Sequence, residues 1–325
     1  MKTGIVATIG FFDGVHLGHQ HLIHQVTNEA KRLGWRSLIL SFSCHPRSVF
    51  SPDFVPNLLT TTAERQFLLR NCGVDDIHML EFDNEMATMS AESFMREVLS
   101  AEFGVRELVI GYDHHFGRPL KNIQHEEGFK EYREYGKGLG IDVIQVMELP
   151  SREHISSSVI RRALLSGDAG LACQGLGRPY RWSGRVIHGQ AIGHRLGFPT
   201  ANLAALAPEK ILPANGVYAV WVRVDEDSDA HAPFFRAMLN IGTRPTVGGN
   251  SLSIEAHLMD FEGDLYGRKL ALYFIERIRT EQQFDCEEDL VRQLKADKLQ
   301  AMTYLLSPPE VSLGLNEQHH LTASI

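Results

Sequence analysis

Four cysteines in 325 residues, at positions 44, 72, 173 and 286, form no CxxC pair and are too sparse for a disulfide framework, which suits a reducing compartment. Positive charge is also short. Thirty-two Lys and Arg against 40 Asp and Glu leave a formal net charge of −8, which argues against general affinity for a nucleic-acid backbone or anionic lipid. No apolar run approaches the roughly 18 residues needed to span a bilayer. The run from Gly4 to Phe12 follows Lys2 like the apolar region of a signal peptide, but it enters Asp13-Gly14 with no small-x-small cleavage site. It reads as a buried first strand. Internal repeats, low-complexity segments and a G-x-x-x-x-G-K-[ST] phosphate loop are missing too. These absences predict a cytoplasmic protein without nucleic-acid or membrane partners and leave small polar ligands open.

The length and the 43% hydrophobic content imply two domains or one large α/β domain. Strand-like runs near 5–10, 36–42, 76–81, 107–111 and 141–147 alternate with helical patterns near 18–34, 62–72, 90–103 and 123–138, with Thr62 and Ser90 as N-caps. That alternation predicts a doubly wound parallel sheet, whose ligands collect outside the carboxyl ends of its strands. A helix near 156–166 and a second, short one to about Gly175 follow. From Tyr180, strands near 180–188, 217–224, 234–241, 251–260 and 269–279 lie between Gly, Pro and Asn turns, which predicts a mostly antiparallel sheet or small barrel. The acidic stretch 225–232 reads as a solvated hairpin loop, 284–306 as a closing helix, and 311–325 has no period and reads as disordered.

The segment "FDGVHLGHQ" sits between the first strand and the first helix. His16 and His19 lie i,i+3 on one side of a turn, a spacing open to metal ligation, to incidental surface histidines, or to phosphate handling. Without a third ligand nearby, zinc ranks last. A helix start near Gly18 aims unpaired N–H groups and a positive dipole end at the crevice, while Gly14 and Gly18 admit close backbone approach. Phosphate handling leads. In "HISSSVIRR", three serines are ordinary capping residues, and Arg161 lies on the same helical face as Ser157 and Ser158, where its fork can grip phosphate oxygens. Asp113 in "GYDHHFG" is either a turn former or an anchor for a ligand. In "GQAIGHRLGFPTANL", Gly193 and Gly197 belong to either a flexible hairpin or a flap over phosphates, and Thr200 and Asn202 offer oxygen donors to a hard cation such as Mg²⁺, although Asn202 can equally hold a turn. Glu255 shares one face of an alternating strand with Ser253 and His257, opposite Leu252, Ile254, Ala256 and Leu258.

"FDGVHLGHQ", "FSCHP", "GYDHHFG" and "ISSSVIR" occur in the order found in the adenylyltransferase half of bacterial bifunctional riboflavin kinase/FAD synthetases, and the chain resembles that family. The second half resembles flavokinase barrels through "LGRPYRWSGRVIHGQAIGHRLGFPTANL", "LPANGVYAVWV", "LNIGTRPTV", "IEAHLMDFEGDLYGRKL" and "RIRTEQQF". The resemblance implies an α/β doubly wound, Rossmann-like nucleotidyltransferase domain of the HxGH type over 1–175, a flavokinase β-barrel with a C-terminal helix over 176–306, and a tail over 307–325. It further implies ATP as co-substrate with Mg²⁺, and riboflavin, FMN and FAD as substrates and products. Ser157, Ser158 and Arg161 would then hold ATP, and Glu255 would be the general base of the kinase. Arg195 and Arg279 are expected to touch anion or flavin. Cys44 replaces a usual proline, Ser158 a threonine and Asn122 a glycine. Two rivals stand beside this reading: a chain with one live activity, and a non-catalytic flavin- or RNA-binding module on the same folds.

Overall fold

The computed structural model describes residues 4–51, 57–117, 127–150, 154–189, 192–225, 232–246 and 249–309. The expectations for the loop around Asn122, the acidic stretch 226–231, residues 190 and 191 of the flap, and the tail from 310 onward lie outside them. The described residues divide into two compact units, one of those up to 154 apart from 57–59, the other of 57–59 and those from 155 onward.

The first unit runs β1 (Ile5–Ile9), α1 (Leu17–Leu33), β2 (Arg36–Phe42), α2 (Pro46–Phe50), α3 (Thr62–Arg70), β3 (Asp76–Leu80), α4 (Asn84–Thr88), α5 (Ala91–Phe94), a π-helical run Met95–Glu102, β4 (Val105–Gly111), α6 (Phe129–Leu139) and β5 (Asp142–Val146). All five strands are parallel, in the order β3-β2-β1-β4-β5. Successive residues point to opposite faces, so Val6, Ile39 and Val109 enter one core with Ile23 and Val26 of α1, while Ala7, Leu38, Leu40, Leu108 and Ile110 enter the other. Burial on both faces is why the central strands β1, β2 and β4 are largely apolar runs rather than alternating ones. The order reverses between β1 and β4, which puts the crevice at their carboxyl ends.

Two local expectations change. Thr61, not Thr62, caps α3, because Thr61 and Glu64 form a reciprocal capping box. The helix expected over 90–103 changes to wider π turns after Phe94, while Ser90 caps α5 as expected.

The second unit contains α7 (Ser157–Ser166), α8 (Ala169–Leu176), β6 (Tyr180–Ile187), α9 (Ile192–Arg195), β7 (Ala201–Ala205), β8 (Gly216–Val224), β9 (Phe234–Thr246), β10 (Gly249–Leu258), β11 (Lys269–Arg279) and α10 (Glu287–Tyr304). Six antiparallel strands close a barrel in the order β10-β7-β6-β11-β8-β9. Tyr218, Val220 and Val222 of β8 face one core with Trp182, Leu239, Ile254 and Phe274, and Ala219 and Trp221 face outward under Ala301 and Leu305. The outer layer explains why β8 is buried throughout. Ile160, Ala163 and Leu164 of α7 and Ala169, Ala172 and Leu176 of α8 join the barrel-side core, so these helices, placed over 1–175 by the sequence reading, pack with the second unit. Leu252 does not follow Ile254 and Ala256 inward and is 58% exposed, since β10 there pairs only with β9.

One buried charge makes the first unit's stability depend on pH. Glu107 of β4 is 5% exposed, and burial, reinforced by Glu29 and Asp142 and opposed by Arg32, raises its carboxyl to about 7. A raised folded-state value adds stability that is complete below the unfolded value near 4.5 and lost as pH rises through about 7. Glu107→Gln is therefore expected to stabilise the protein by about 1–3 kcal/mol at pH 8 and by almost nothing at pH 4.5, as read by urea unfolding at the two pH values.

Candidate functional site

Between β1 and α1 the backbone turns through three positive φ angles, 53° at Phe12, 83° at Gly14 and 39° at Val15. Two of these residues carry side chains that disfavour such a path, so the loop needs external restraint. Buried Asp13 supplies it. Its Oδ1 accepts from the Thr60 amide and the Thr60 hydroxyl, each at 3.0 Å, and the Thr60 Oγ1 accepts from the Gly14 amide at 3.0 Å. The sequence reading missed Asp13 and Thr60, although Thr60 adjoins the capping-box signature Thr61-x-x-Glu64 that marks the start of α3.

The loop delivers His16 as the N-cap of α1, with extended backbone and a buried ring. His16 Nδ1 accepts from the His19 amide at 3.3 Å, so the remaining nitrogen, Nε2, carries the proton in the neutral ring. The His16 and His19 rings stack at 3.6 Å, and His19 meets Phe12 edge-on at 5.2 Å. Stacked rings, one with a nitrogen committed to the cap, are a poor chelate. Among the described residues no three His, Cys, Asp or Glu side chains group as metal ligands. Gly18 is the second residue of α1, and its first turn holds no acidic side chain to offset the positive end.

Across the switch point, Asp113 lies exposed in the turn after β4, with His114 beside it. Burial pulls His114 down to about 4, which keeps the imidazole neutral at physiological pH. His115 Nδ1 bonds the Glu127 carbonyl at 2.7 Å, and Phe116 stacks on Tyr132 at 4.3 Å.

Ser157, Ser158 and Arg161 lie in the second unit, at the head of α7. Ser156 is the residue that caps this helix, on the Val159 amide at 3.4 Å. Ser158 is exposed, and Arg161 Nε donates to the Asn57 carbonyl at 2.8 Å.

On the barrel, "PTAN" is not only a turn: Ala201–Ala205 forms β7, wedged between β6 and β10. The register sets Asn202 opposite Glu255, and Glu255 opposite Asn240 of β9, so the three side chains share one outward face. Thr200 Oγ1 donates to Glu255 Oε2 at 3.1 Å, and Ser253 Oγ donates to Oε1 at 2.8 Å. His257 Nδ1 donates to the Pro199 carbonyl at 2.8 Å, pinning the residue before Thr200, while burial lowers the affinity of its ring for a second proton. The turn from Gly193 to Gly197 adjoins this row. Gly193 lies so near the Phe198 carbonyl and Thr200 that no side chain fits there. Gly197 turns the flap back toward Phe198, and Arg195 pairs with Glu287 of α10 at 2.5 Å. Arg279 makes a bidentate bond to Asp297, which is fully buried. Sequence reasoning placed Ser253 on the face of Glu255 without giving it a role and did not find Asn240 or Asp297, because only the strand register and helix packing reveal their partners.

The donors around Thr200 are all oxygen atoms. Because the Thr200 hydroxyl spends its proton on Glu255, its lone pairs face away, and with the Asn202 amide oxygen this set suits Mg²⁺, which completes its shell with water and phosphate.

A doubly wound sheet with a helix N-terminus and two histidines at its switch point, followed by a closed barrel with a carboxylate beside a hydroxyl and an amide, defines a two-domain transferase of phosphate-bearing groups. Residues 1–159 match the family model described as FAD synthetase, and residues 176–305 match the one described as riboflavin kinase. The bifunctional riboflavin kinase/FMN adenylyltransferase of Pseudomonas fluorescens is 37% identical over 295 residues, 90% of this chain and 91% of that protein. That of Escherichia coli K12 is 34% identical over 304 residues, 93% of each, and that of Bacillus subtilis is 31% identical over 315 residues, 92% of each. A crystal structure described as a macrolide-efflux protein from Streptococcus pneumoniae superposes with a TM-score of 0.82 at 30% identity, over 94% of this chain and 95% of that one. Among the described residues no helix is long and apolar enough to cross a membrane. The chain belongs to the bifunctional riboflavin kinase/FMN adenylyltransferase family.

The loop geometry yields a stability test. Thr60→Val removes two of the three bonds that tie Asp13 and Gly14 together, and is expected to cost about 1–3 kcal/mol in urea unfolding. Thr60→Ser keeps the hydroxyl and should recover most of that loss.

Proposed function

We propose that the two activities of this family divide between the two halves. The barrel, over 176–306, phosphorylates riboflavin with ATP to give FMN, and the residues before it, over 1–175, adenylylate FMN with a second ATP to give FAD and pyrophosphate. What carries this reading is the row Thr200, Asn202, Glu255 on the barrel together with the His16-capped start of α1 on the parallel sheet.

On the barrel, Glu255 is the general base. Its carboxylate is held by Thr200 and Ser253 and takes the proton of the terminal ribityl hydroxyl as that oxygen attacks the γ-phosphorus. Gly193, Gly197 and Arg195 belong to the flap over the triphosphate. Thr200 and Asn202 would hold the cation, and Mg²⁺, when bound, neutralises charge on the phosphate oxygens. Arg279 acts by fixing α10 to β11 through Asp297.

In the adenylyltransferase, Gly14, Gly18 and the first amides of α1 receive phosphate oxygens, and His16 donates from Nε2–H. His19, stacked on it, adds a second imidazole as charge builds on the α-phosphate. Asp113 anchors substrate at the β4 end. Ser157, Ser158 and Arg161 take the ATP roles that the "ISSSVIR" segment implies; the family model for FAD synthetase reaches residue 159 and so includes the two serines. Positioning and charge stabilisation suffice for an in-line displacement, and no covalent enzyme intermediate is needed. Small-molecule substrates, a cytoplasmic location and the lack of nucleic-acid partners complete the reading.

Separate assays test it. Glu255→Gln is expected to slow FMN formation from riboflavin by about 10²–10⁴-fold and to leave FAD formation from supplied FMN intact. His16→Ala is expected to do the reverse. Equal loss of both reactions in either variant contradicts the division of labour.

A further inference from the structure

Arg65, in the first turns of α3, is fully buried. Its Nη2 donates to the carbonyl of Phe42, the last residue of β2, at 2.6 Å, and its guanidinium carbon lies 4.2 Å above the ring of Phe11. Nε and Nη1 are buried with no hydrogen-bond partner, and no carboxylate forms an ion pair with this group among the described residues. Asp13, already engaged with Thr60, supports the charge through space. Burial pulls the guanidinium down to about 10, so it remains a cation at neutral pH.

An incompletely paired buried cation is an expensive way to fill a core, and an apolar side chain of similar size usually serves stability as well or better. Position offers another reason for it. Phe11 opens the strained loop that leads to Gly14 and His16, and its ring also stands edge-on to His45 in the "FSCHP" segment, 4.8 Å away. Phe42 ends the neighbouring strand, so the guanidinium sits at the carboxyl ends of β1 and β2, where an α/β sheet receives its ligands.

We infer that Arg65 is a positioning residue for adenylyl transfer, a buried cation that fixes Phe11 and the end of β2 and adds positive potential beneath the phosphate loop. The inference rests on the phosphate-handling reading of that loop. Its function is catalytic support at the cost of stability, which separates it from an ordinary core residue.

The test compares Arg65→Met and Arg65→Lys in the full chain. Arg65→Met is expected to lower kcat for FAD formation by about tenfold or more, with KM for FMN and ATP within about threefold of wild type. Its thermal unfolding midpoint is expected to stay the same or rise, and Arg65→Lys, which keeps the charge, to recover most of the kcat. An unchanged kcat in Arg65→Met, a lowered midpoint, or no recovery in Arg65→Lys overturns the inference. His16→Ala run in parallel separates the two levels. If it leaves FAD formation intact, the reading of the loop fails; if it abolishes FAD formation while Arg65→Met does not, only the role of Arg65 fails.

Discussion

A single carboxylate oxygen organises the loop at the carboxyl end of β1 in the parallel sheet. Asp13 Oδ1 accepts from both the backbone and the side chain of Thr60, and Thr60 in turn accepts from the Gly14 amide. Without that knot, Phe12 and Val15 would leave the left-handed region and α1 would start elsewhere. With it, the helix begins at Leu17, His16 is fixed as the cap, and the choice of ring nitrogen follows from one bond to the His19 amide. The orientation of the His16 N–H is thus settled by backbone geometry several residues away.

The barrel solves a related problem by different means. There the Glu255 carboxylate is placed by strand register, since a one-residue slip of β10 against β7 would turn Glu255 toward Ile254's side and remove it from Asn202. Register is enforced by Ile254 and Ala256 in the barrel core on one face and by His257 holding Pro199 beside the other. Hydroxyls of Thr200 and Ser253 then fix the carboxylate rotamer. One half relies on a strained loop that is tied down, the other on a sheet that cannot shift.

The central parallel strands β1, β2 and β4 were legible in the sequence because burial on both faces writes them as largely apolar runs, and α1, α3 and α10 because their apolar stripes recur at helical spacing. β7 was not, since Pro199, Thr200 and Asn202 read as turn chemistry and only pairing with β6 and β10 makes the segment a strand. Nor was the membership of α7 and α8, because an apolar stripe of Ile160, Ala163 and Leu164 does not say which core it enters. The candidate site residues could be picked out from their motifs, but the groups that hold them in place could not. Thr60, Arg65 and Asp297 are polar residues in segments where polar residues normally face water, and their burial exists only in three dimensions.

The central claim is that the β1–α1 loop receives the phosphates of ATP. It is tested most directly by a crystal structure of the full chain with FMN and an ATP analogue whose α,β-bridging oxygen is a methylene. The account predicts α-phosphate oxygens within hydrogen-bond distance of His16 Nε2 and of the first amides of α1. Clear density for the triphosphate of the analogue in the first unit, with no phosphate oxygen near either group, would contradict it.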